Sequence, residues 1–152
     1  MMNDARKLSR VMEVAAWVLM ILDLALMIAL PWITETLTSQ PRDTALYNQY
    51  LVFLYVTGVI GELILWQCRG IMRNVTKKTP FCADTVKRLR AIGWITIALA
   101  VAWIVMISCF DVFKFLMTFL ALLFAFIGLV LFVFAALFAQ ATAYKEENDM
   151  TI

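Results

Sequence analysis

Four long apolar blocks alternate with short segments that hold most of the positive charge, and this pattern constrains the fold more than any other feature. Eleven of the thirteen lysine and arginine residues lie before the first block, between the second and third blocks, or after the fourth block. Membrane proteins keep such basic segments on the cytoplasmic side. The pattern therefore predicts a polytopic membrane protein with both termini in the cytoplasm.

Each apolar block is long enough to cross a membrane. A hydrocarbon core of ~30 Å requires about 20 apolar residues in a helix, and the predicted spans are about 11–33, 50–68, 92–110 and 115–139. The chain has 64% hydrophobic residues and a mean hydropathy of +0.87, outside the range of ordinary soluble domains. We therefore predict an all-α fold, with residues 1–152 forming a single four-helix transmembrane bundle.

The segment 69–91 is predicted to be a cytoplasmic loop that contains an amphipathic helix leading into the third span. Thr79 is a suitable N-cap, Pro80 suits a first helical turn, and Asp84 favours the positive end of a helix dipole. The helix is therefore expected to begin near Pro80. Its apolar and basic faces are separate, as in helices that lie at a membrane surface. The apolar face contains Phe81, Val86, Leu89 and Ile92, and the basic residues are Lys87, Arg88 and Arg90.

Two carboxylic residues, Asp23 and Glu62, lie inside predicted spans, where an ionised side chain costs at least ~2.5–3.5 kcal/mol. They lie at similar depths on adjacent helices, so they are expected to face each other in the bundle interior. One interpretation is a proton- or cation-responsive site. The other is a neutral carboxylic acid that is hydrogen-bonded to Gln67, Thr57 or a backbone carbonyl of another helix.

Enzymatic chemistry is not predicted. The chain has no histidine and no C-x-x-C motif, so a Cys/His zinc site and a dithiol redox pair are both excluded. We find no nucleophile–base set, and we expect no catalytic residue, metal or cofactor. Direct nucleic-acid binding is not expected either, because the basic segment lacks interleaved aromatic residues.

Small residues recur along the fourth span at spacings near three, four and seven. Such residues allow membrane helices to approach each other closely. They indicate either packing within the chain or a homodimer formed through the fourth helix. The residues are Ala121, Ala125, Gly128, Ala135 and Ala139.

Two stretches resemble motifs of a known family. Residues 79–94 read TPFCADTVKRLRAIGW, close to a pattern N-P-F-x-x-x-N-V-x-x-L-R-x-I-G, and residues 145–152 read KEENDMTI, close to L-x-x-E-N-D-L-T-I. Both patterns are typical of the bacterial four-helix membrane family known as domain of unknown function 2975. This chain has Thr79 and Thr85 where the family pattern has Asn.

The resemblance implies a location in the bacterial inner membrane and a partner, a small Xre-type helix-turn-helix regulator encoded beside the membrane protein. We therefore expect a non-enzymatic regulator or receptor that binds this transcription factor through its basic helix and its tail, residues 140–152. Attraction of opposite charges would hold helix and tail together until a partner competes. The expected partner-binding residues are Phe81, Lys87, Arg88, Arg90, Glu146, Glu147 and Asp149.

Two alternatives stay open. The first is a small proton- or cation-coupled transporter that uses Asp23 and Glu62. The second is that the positive charge of the basic loop serves only to set the topology and to attract anionic lipid, without a protein partner.

Overall fold

A computed structural model of the chain describes residues 2–38, 44–77, 79–109 and 114–150. These residues form four helices, α1 (Met2–Thr38), α2 (Ala45–Thr76), α3 (Ala83–Cys109) and α4 (Lys114–Met150), and the described part of the chain contains no strand. All four helices are long and apolar enough to cross a membrane. The predicted all-α, four-span architecture is therefore confirmed. The predicted end of the third span at 110, and residues 151–152 of the tail, lie outside the described residues.

The helices extend well beyond the predicted spans. Helix α1 continues through Pro31, and α4 continues through most of the predicted tail. Most of the predicted loop 69–91 is also helical, since α2 ends at Thr76 and α3 begins at Ala83. At 1.5 Å per residue, the 37 residues of α1 or α4 measure about 55 Å, far more than a ~30 Å hydrocarbon core. Hydropathy detects only the part of each helix that lies in lipid.

The connection between α2 and α3 differs from the prediction at Thr79 and Pro80. Both the backbone N–H and the hydroxyl of Thr79 donate to the carbonyl of Asn74, at 3.0 and 3.4 Å. Thr79 therefore closes the end of α2 and does not cap the next helix. The backbone N–H of Val86 donates to the carbonyl of Cys82, which marks the first turn of α3. The prediction that this helix begins near Pro80 was wrong by about one turn.

Consecutive helices are antiparallel. The hydroxyl of Ser9 near the start of α1 donates to the carbonyl of Met72 near the end of α2, at 2.7 Å. At the other end of this pair, the hydroxyl of Tyr47 donates to the carbonyl of Pro31 at 3.2 Å. The start of α1, the end of α2, the start of α3 and the end of α4 thus lie together. We call this end of the molecule, with residues 7–10, 69–77, 79–91 and 140–148, the basic end.

Each helix packs against its neighbours in the chain, so the four helices form a row. Helix α2 contacts α1 and α3, and α3 contacts α4, whereas in the described residues no Cα atom of α1 lies within 8 Å of a Cα atom of α3 or α4. The four-helix architecture agrees with the prediction, and the arrangement of the helices in a row was not predicted. Lipid tails solvate apolar side chains as well as another helix does, so no hydrophobic force closes the row in a membrane.

Small residues bring α3 and α4 close together. A Cβ on Gly128 would lie 2.6 Å from Cγ1 of Ile97 and 3.2 Å from the carbonyl oxygen of Gly93, so a larger residue would force Ile97 or the α3 backbone to shift. Nearby, Ala121 belongs to a buried cluster with Leu99, Trp103 and Met106 of α3. These small residues of α4 serve packing within the chain. A homodimer through the fourth helix stays a prediction.

Candidate functional site at the basic end

A buried asparagine organises the connection at the basic end. Asn74 is only 7% exposed, and its side-chain amide donates to Oδ2 of Asp84 at 2.8 Å and to the hydroxyl of Thr85 at 3.1 Å. Its carbonyl accepts both hydrogen bonds from Thr79. One residue thus ties the end of α2 to the start of α3. This role of Asn74 was not predicted. Its partner Thr85 stands at one of the two motif positions where the family pattern has Asn.

Two hydrogen-bond donors stabilise the ionised form of Asp84. The amide of Asn74 and the guanidinium of Arg88, whose Nε lies 2.8 Å from Oδ2, hold the pKa of this carboxyl below its ordinary value. Lys87, Arg88 and Arg90 separate Asp84 from the apolar stretch that crosses the membrane, so this carboxyl lies outside that stretch. At neutral pH, Asp84 is a fixed negative charge that orients Arg88.

A groove of about 290 Å³ separates the start of α3 from the end of α4. Lys87 and Arg90 lie on its α3 side, and Glu146 lies on its α4 side. Val86, which is buried, supplies apolar surface between them. The structure therefore brings two of the predicted basic residues and one of the predicted acidic residues to the same groove. The remaining lining residues are Ala83, Ala139, Thr142 and Ala143.

Phe81 and Arg88 were predicted to bind a partner together with Lys87 and Arg90, but neither lines the groove. Phe81 precedes α3, packs its ring 5.3 Å from the ring of Phe138 on α4, and remains 43% exposed. Arg88 faces α2, where its Nη1 donates to Oε1 of Gln67 at 3.2 Å. Arg88 is thus bonded away from the groove that contains Lys87 and Arg90.

The last turns of α4 form an exposed helical extension. Tyr144 is 68% exposed, and residues 145–148, which include Glu147, are exposed as well. The side chain of Asp149 lies outside the part of the chain that the structure describes. Acidic side chains therefore follow the groove along α4 into solvent.

The two intramembrane carboxylic residues lie at the contact between α1 and α2. Oδ1 of Asp23 would be 3.8 Å from a Cβ on Gly58, and Glu62 follows Gly58 by one turn on the same face of α2. Both residues are partly buried. Asp23 also lines an apolar cleft of about 460 Å³ between the two helices.

The expected hydrogen-bond partners of these carboxyls are engaged elsewhere. The hydroxyl of Thr57 donates to the carbonyl of Phe53, and Oε1 of Gln67 accepts from Arg88. Within the described residues, Oδ2 of Asp23 and Oε2 of Glu62 are buried without a hydrogen-bond partner. The predicted bonds to Thr57 and Gln67 are therefore not formed.

The aromatic surroundings of Arg69 were not predicted from the sequence. Its guanidinium carbon lies 4.2 Å from the centre of the Trp17 ring and 5.4 Å from the centre of the Trp66 ring. Such distances are typical of cation–π interactions. The sequence signal was the presence of tryptophan near the basic end of both helices.

The described residues contain no candidate metal site, because no three His, Cys, Asp or Glu side chains lie close enough together to hold an ion. The carboxylic residues of the membrane region form at most a pair.

Comparison with known families agrees with the motifs of residues 79–94 and 145–152. The family model described as "Protein of unknown function (DUF2975)" matches residues 16–152, nearly the whole chain. The chain belongs to this family. Comparison with curated proteins and with solved structures gave no match. This DUF2975 protein has the multi-pass membrane architecture that its four apolar helices indicate.

Proposed function

We propose that this DUF2975 protein is a non-enzymatic regulator or receptor of the bacterial inner membrane that binds a cytoplasmic protein at its basic end. Both termini then lie in the cytoplasm, as the positive-inside rule requires for segments this rich in Lys and Arg. The expected partner is a small Xre-type helix-turn-helix regulator, the class that the family resemblance implies.

The groove between α3 and α4 is the observation that carries this proposal. It combines apolar surface at Val86 with positive charge at Lys87 and Arg90 and negative charge at Glu146. Protein interfaces combine an apolar centre with a polar, charged rim in the same way. The exposed end of α4 continues from the groove and provides additional surface for a partner.

The charge arrangement also provides a means of regulation. Lys87 and Arg90 lie on one side of the groove and Glu146 on the other, so the attraction between them favours a narrow groove in the free protein. A partner that binds either side competes with this attraction. A coupling of ~1–3 kcal/mol between two such states is typical of allosteric proteins.

Co-purification of the full-length protein with the neighbouring helix-turn-helix regulator tests this proposal. We expect the double variant Lys87→Glu with Arg90→Glu to bind the regulator at least about tenfold more weakly at near-physiological salt, equivalent to ~1.4 kcal/mol. The reason is that both charges on the α3 side of the groove are reversed.

Lys77→Glu is the matched control, because Lys77 is exposed at the same end of the molecule but does not line the groove. It should bind the regulator like the unmodified protein. Equal capture of the regulator by the groove variant and the control would contradict the proposal.

The transporter remains a second candidate because of the cleft between α1 and α2. This cleft is apolar except for Asp23 and Thr57, and it contains one of the two carboxyls that, within the described residues, have a buried oxygen without a hydrogen-bond partner. Carboxyls in such positions are typical of proton and cation pathways. This candidate places the activity in the membrane and not at the basic end.

A further inference from the structure

A second basic site lies at the contact between α2 and α3, on the opposite side of α3 from the groove that contains Lys87. Arg69 and Arg73 of α2 and Arg88 of α3 line a small pocket together with Trp66 and Gly70. None of these five residues is acidic. The pocket therefore concentrates three guanidinium groups, and the carboxylate of Asp84 bonds one of them, Arg88, from outside the lining.

Gly70 allows Arg88 to reach this pocket. The guanidinium of Arg88 lies directly over the α carbon of Gly70, in the space that any Cβ would occupy. Asp84 and Gln67 hold the same guanidinium from outside the pocket, through Nε and Nη1. The position of Arg88 is thus determined by three residues, and its remaining donors are available to a ligand.

Arg69 places the pocket at the membrane surface. Its guanidinium lies over Trp17, and both Trp17 and Trp66 expose about half of their surface, 44% and 50%. Exposed tryptophans are typical of the interfacial layer where lipid headgroups lie. Within the described residues, Nε of Arg69 is buried without a hydrogen-bond partner.

We propose that this pocket binds the phosphate group of an anionic phospholipid. Arginine is the side chain best suited to phosphate, since its fork of donors matches the phosphate oxygens. The pocket measures about 50 Å³, room for a few water-sized groups and hence for the oxygens of one phosphate. Basic pockets between membrane helices bind anionic headgroups in the leaflet that the positive-inside rule assigns to this end. This inference does not depend on the proposed regulator.

Native mass spectrometry of the delipidated full-length protein tests the proposal, with short-chain phosphatidylglycerol and short-chain phosphatidylcholine as probes. We expect the unmodified protein to prefer phosphatidylglycerol. The double variant Arg69→Gln with Arg73→Gln should bind phosphatidylglycerol at least about tenfold more weakly. The single variant Arg73→Gln, which changes an exposed side chain and should preserve the fold, should lose about threefold.

The matched control is Lys7→Gln with Lys77→Gln, which removes the same charge from exposed positions at the same end. It should change phosphatidylglycerol binding by less than about twofold. Equal losses in the control and the pocket variant would overturn the proposal in favour of diffuse attraction.

A third titration uses inorganic phosphate at millimolar concentration. If inorganic phosphate displaced all of the bound phosphatidylglycerol, the ligand would be free phosphate and the proposal of a lipid would be overturned.

Discussion

At the scale of single residues, Asp23 and Glu62 carry the largest unexplained energetic cost. An ionised carboxylate at the centre of a membrane helix costs at least ~2.5–3.5 kcal/mol. Thr57 and Gln67 bond to other groups, and within the described residues one oxygen of each carboxyl has no partner. No cationic side chain lies at the same depth in the sequence. Neutral carboxylic acids therefore fit this environment better than ionised carboxylates do.

The double variant Asp23→Asn with Glu62→Gln should consequently fold and insert normally. Because the amides keep the shape of the acids and carry no charge at any pH, we expect a midpoint of thermal unfolding equal to or above that of the unmodified protein. Capture of the regulator should also be unchanged. Glu13→Gln, at a partly buried position nearer the basic end, is the control. A clear loss of stability would show that the carboxyls hold α1 and α2 together, and loss of a proton- or cation-dependent flux in proteoliposomes would favour the transporter.

At the scale of helices, the connection between α2 and α3 determines how the basic end is built. Asn74 joins these helices through Asp84 and Thr85, and Arg88 extends the same network to Gln67. Asp84 and Gln67 hold Arg88 on the α2 side, while Lys87 and Arg90 lie at the groove with α4. Three neighbouring basic side chains are thus divided between two sites.

We expect Asn74→Ala to destabilise this connection by about 1–3 kcal/mol, because it removes the amide donor from Asp84 and leaves the buried Thr85 hydroxyl with only the Cys82 thiol as a partner. It should also raise the pKa of Asp84, whose largest stabilising contact is the Asn74 amide. Since the folded-state pKa is lowered, this carboxyl stabilises the fold above its unfolded-state pKa, and the stabilisation is lost as pH falls through the folded-state value. The variant should therefore lose less stability on acidification.

Carbon-13 NMR of the Asp84 carboxyl in detergent, with thermal unfolding at neutral and acid pH, measures both effects. Asn48→Ala is the control, because Asn48 is an exposed asparagine at the other end of α2. An unchanged Asp84 pKa in Asn74→Ala would show that Arg88 alone sets the charge of this carboxyl.

At the scale of the whole molecule, the helices form a row in which α1 contacts α2 alone among the other described helices. Large apolar side chains on α1 and α4, such as Ile28 and Leu122, are exposed and suit contact with lipid. The charged helix ends lie together at the basic end, with the start of α1 and the end of α4 on that side. We expect this distribution of charge to orient the molecule in the membrane, with the basic end in the cytoplasm.

Cysteine labelling tests the orientation. In a protein with Cys68, Cys82 and Cys109 replaced by serine, a membrane-impermeant thiol reagent applied from outside should label Ala45→Cys but not Lys77→Cys. Both positions are exposed, and they lie at opposite ends of α2. Lysis of the cells should make Lys77→Cys reactive. Labelling of Lys77→Cys in intact cells would contradict a cytoplasmic basic end.

The sequence by itself determined the four spans and the family, because hydropathy, charge and short motifs are properties of neighbouring residues. It also identified Lys87, Arg90 and Glu146, which the groove brings together. Only the tertiary structure decided that the helices form a row, that Arg88 faces α2, and that Asn74 joins two helices. These features depend on how each helix is rotated and which faces meet, and in lipid that choice depends on close packing and hydrogen bonds between distant residues.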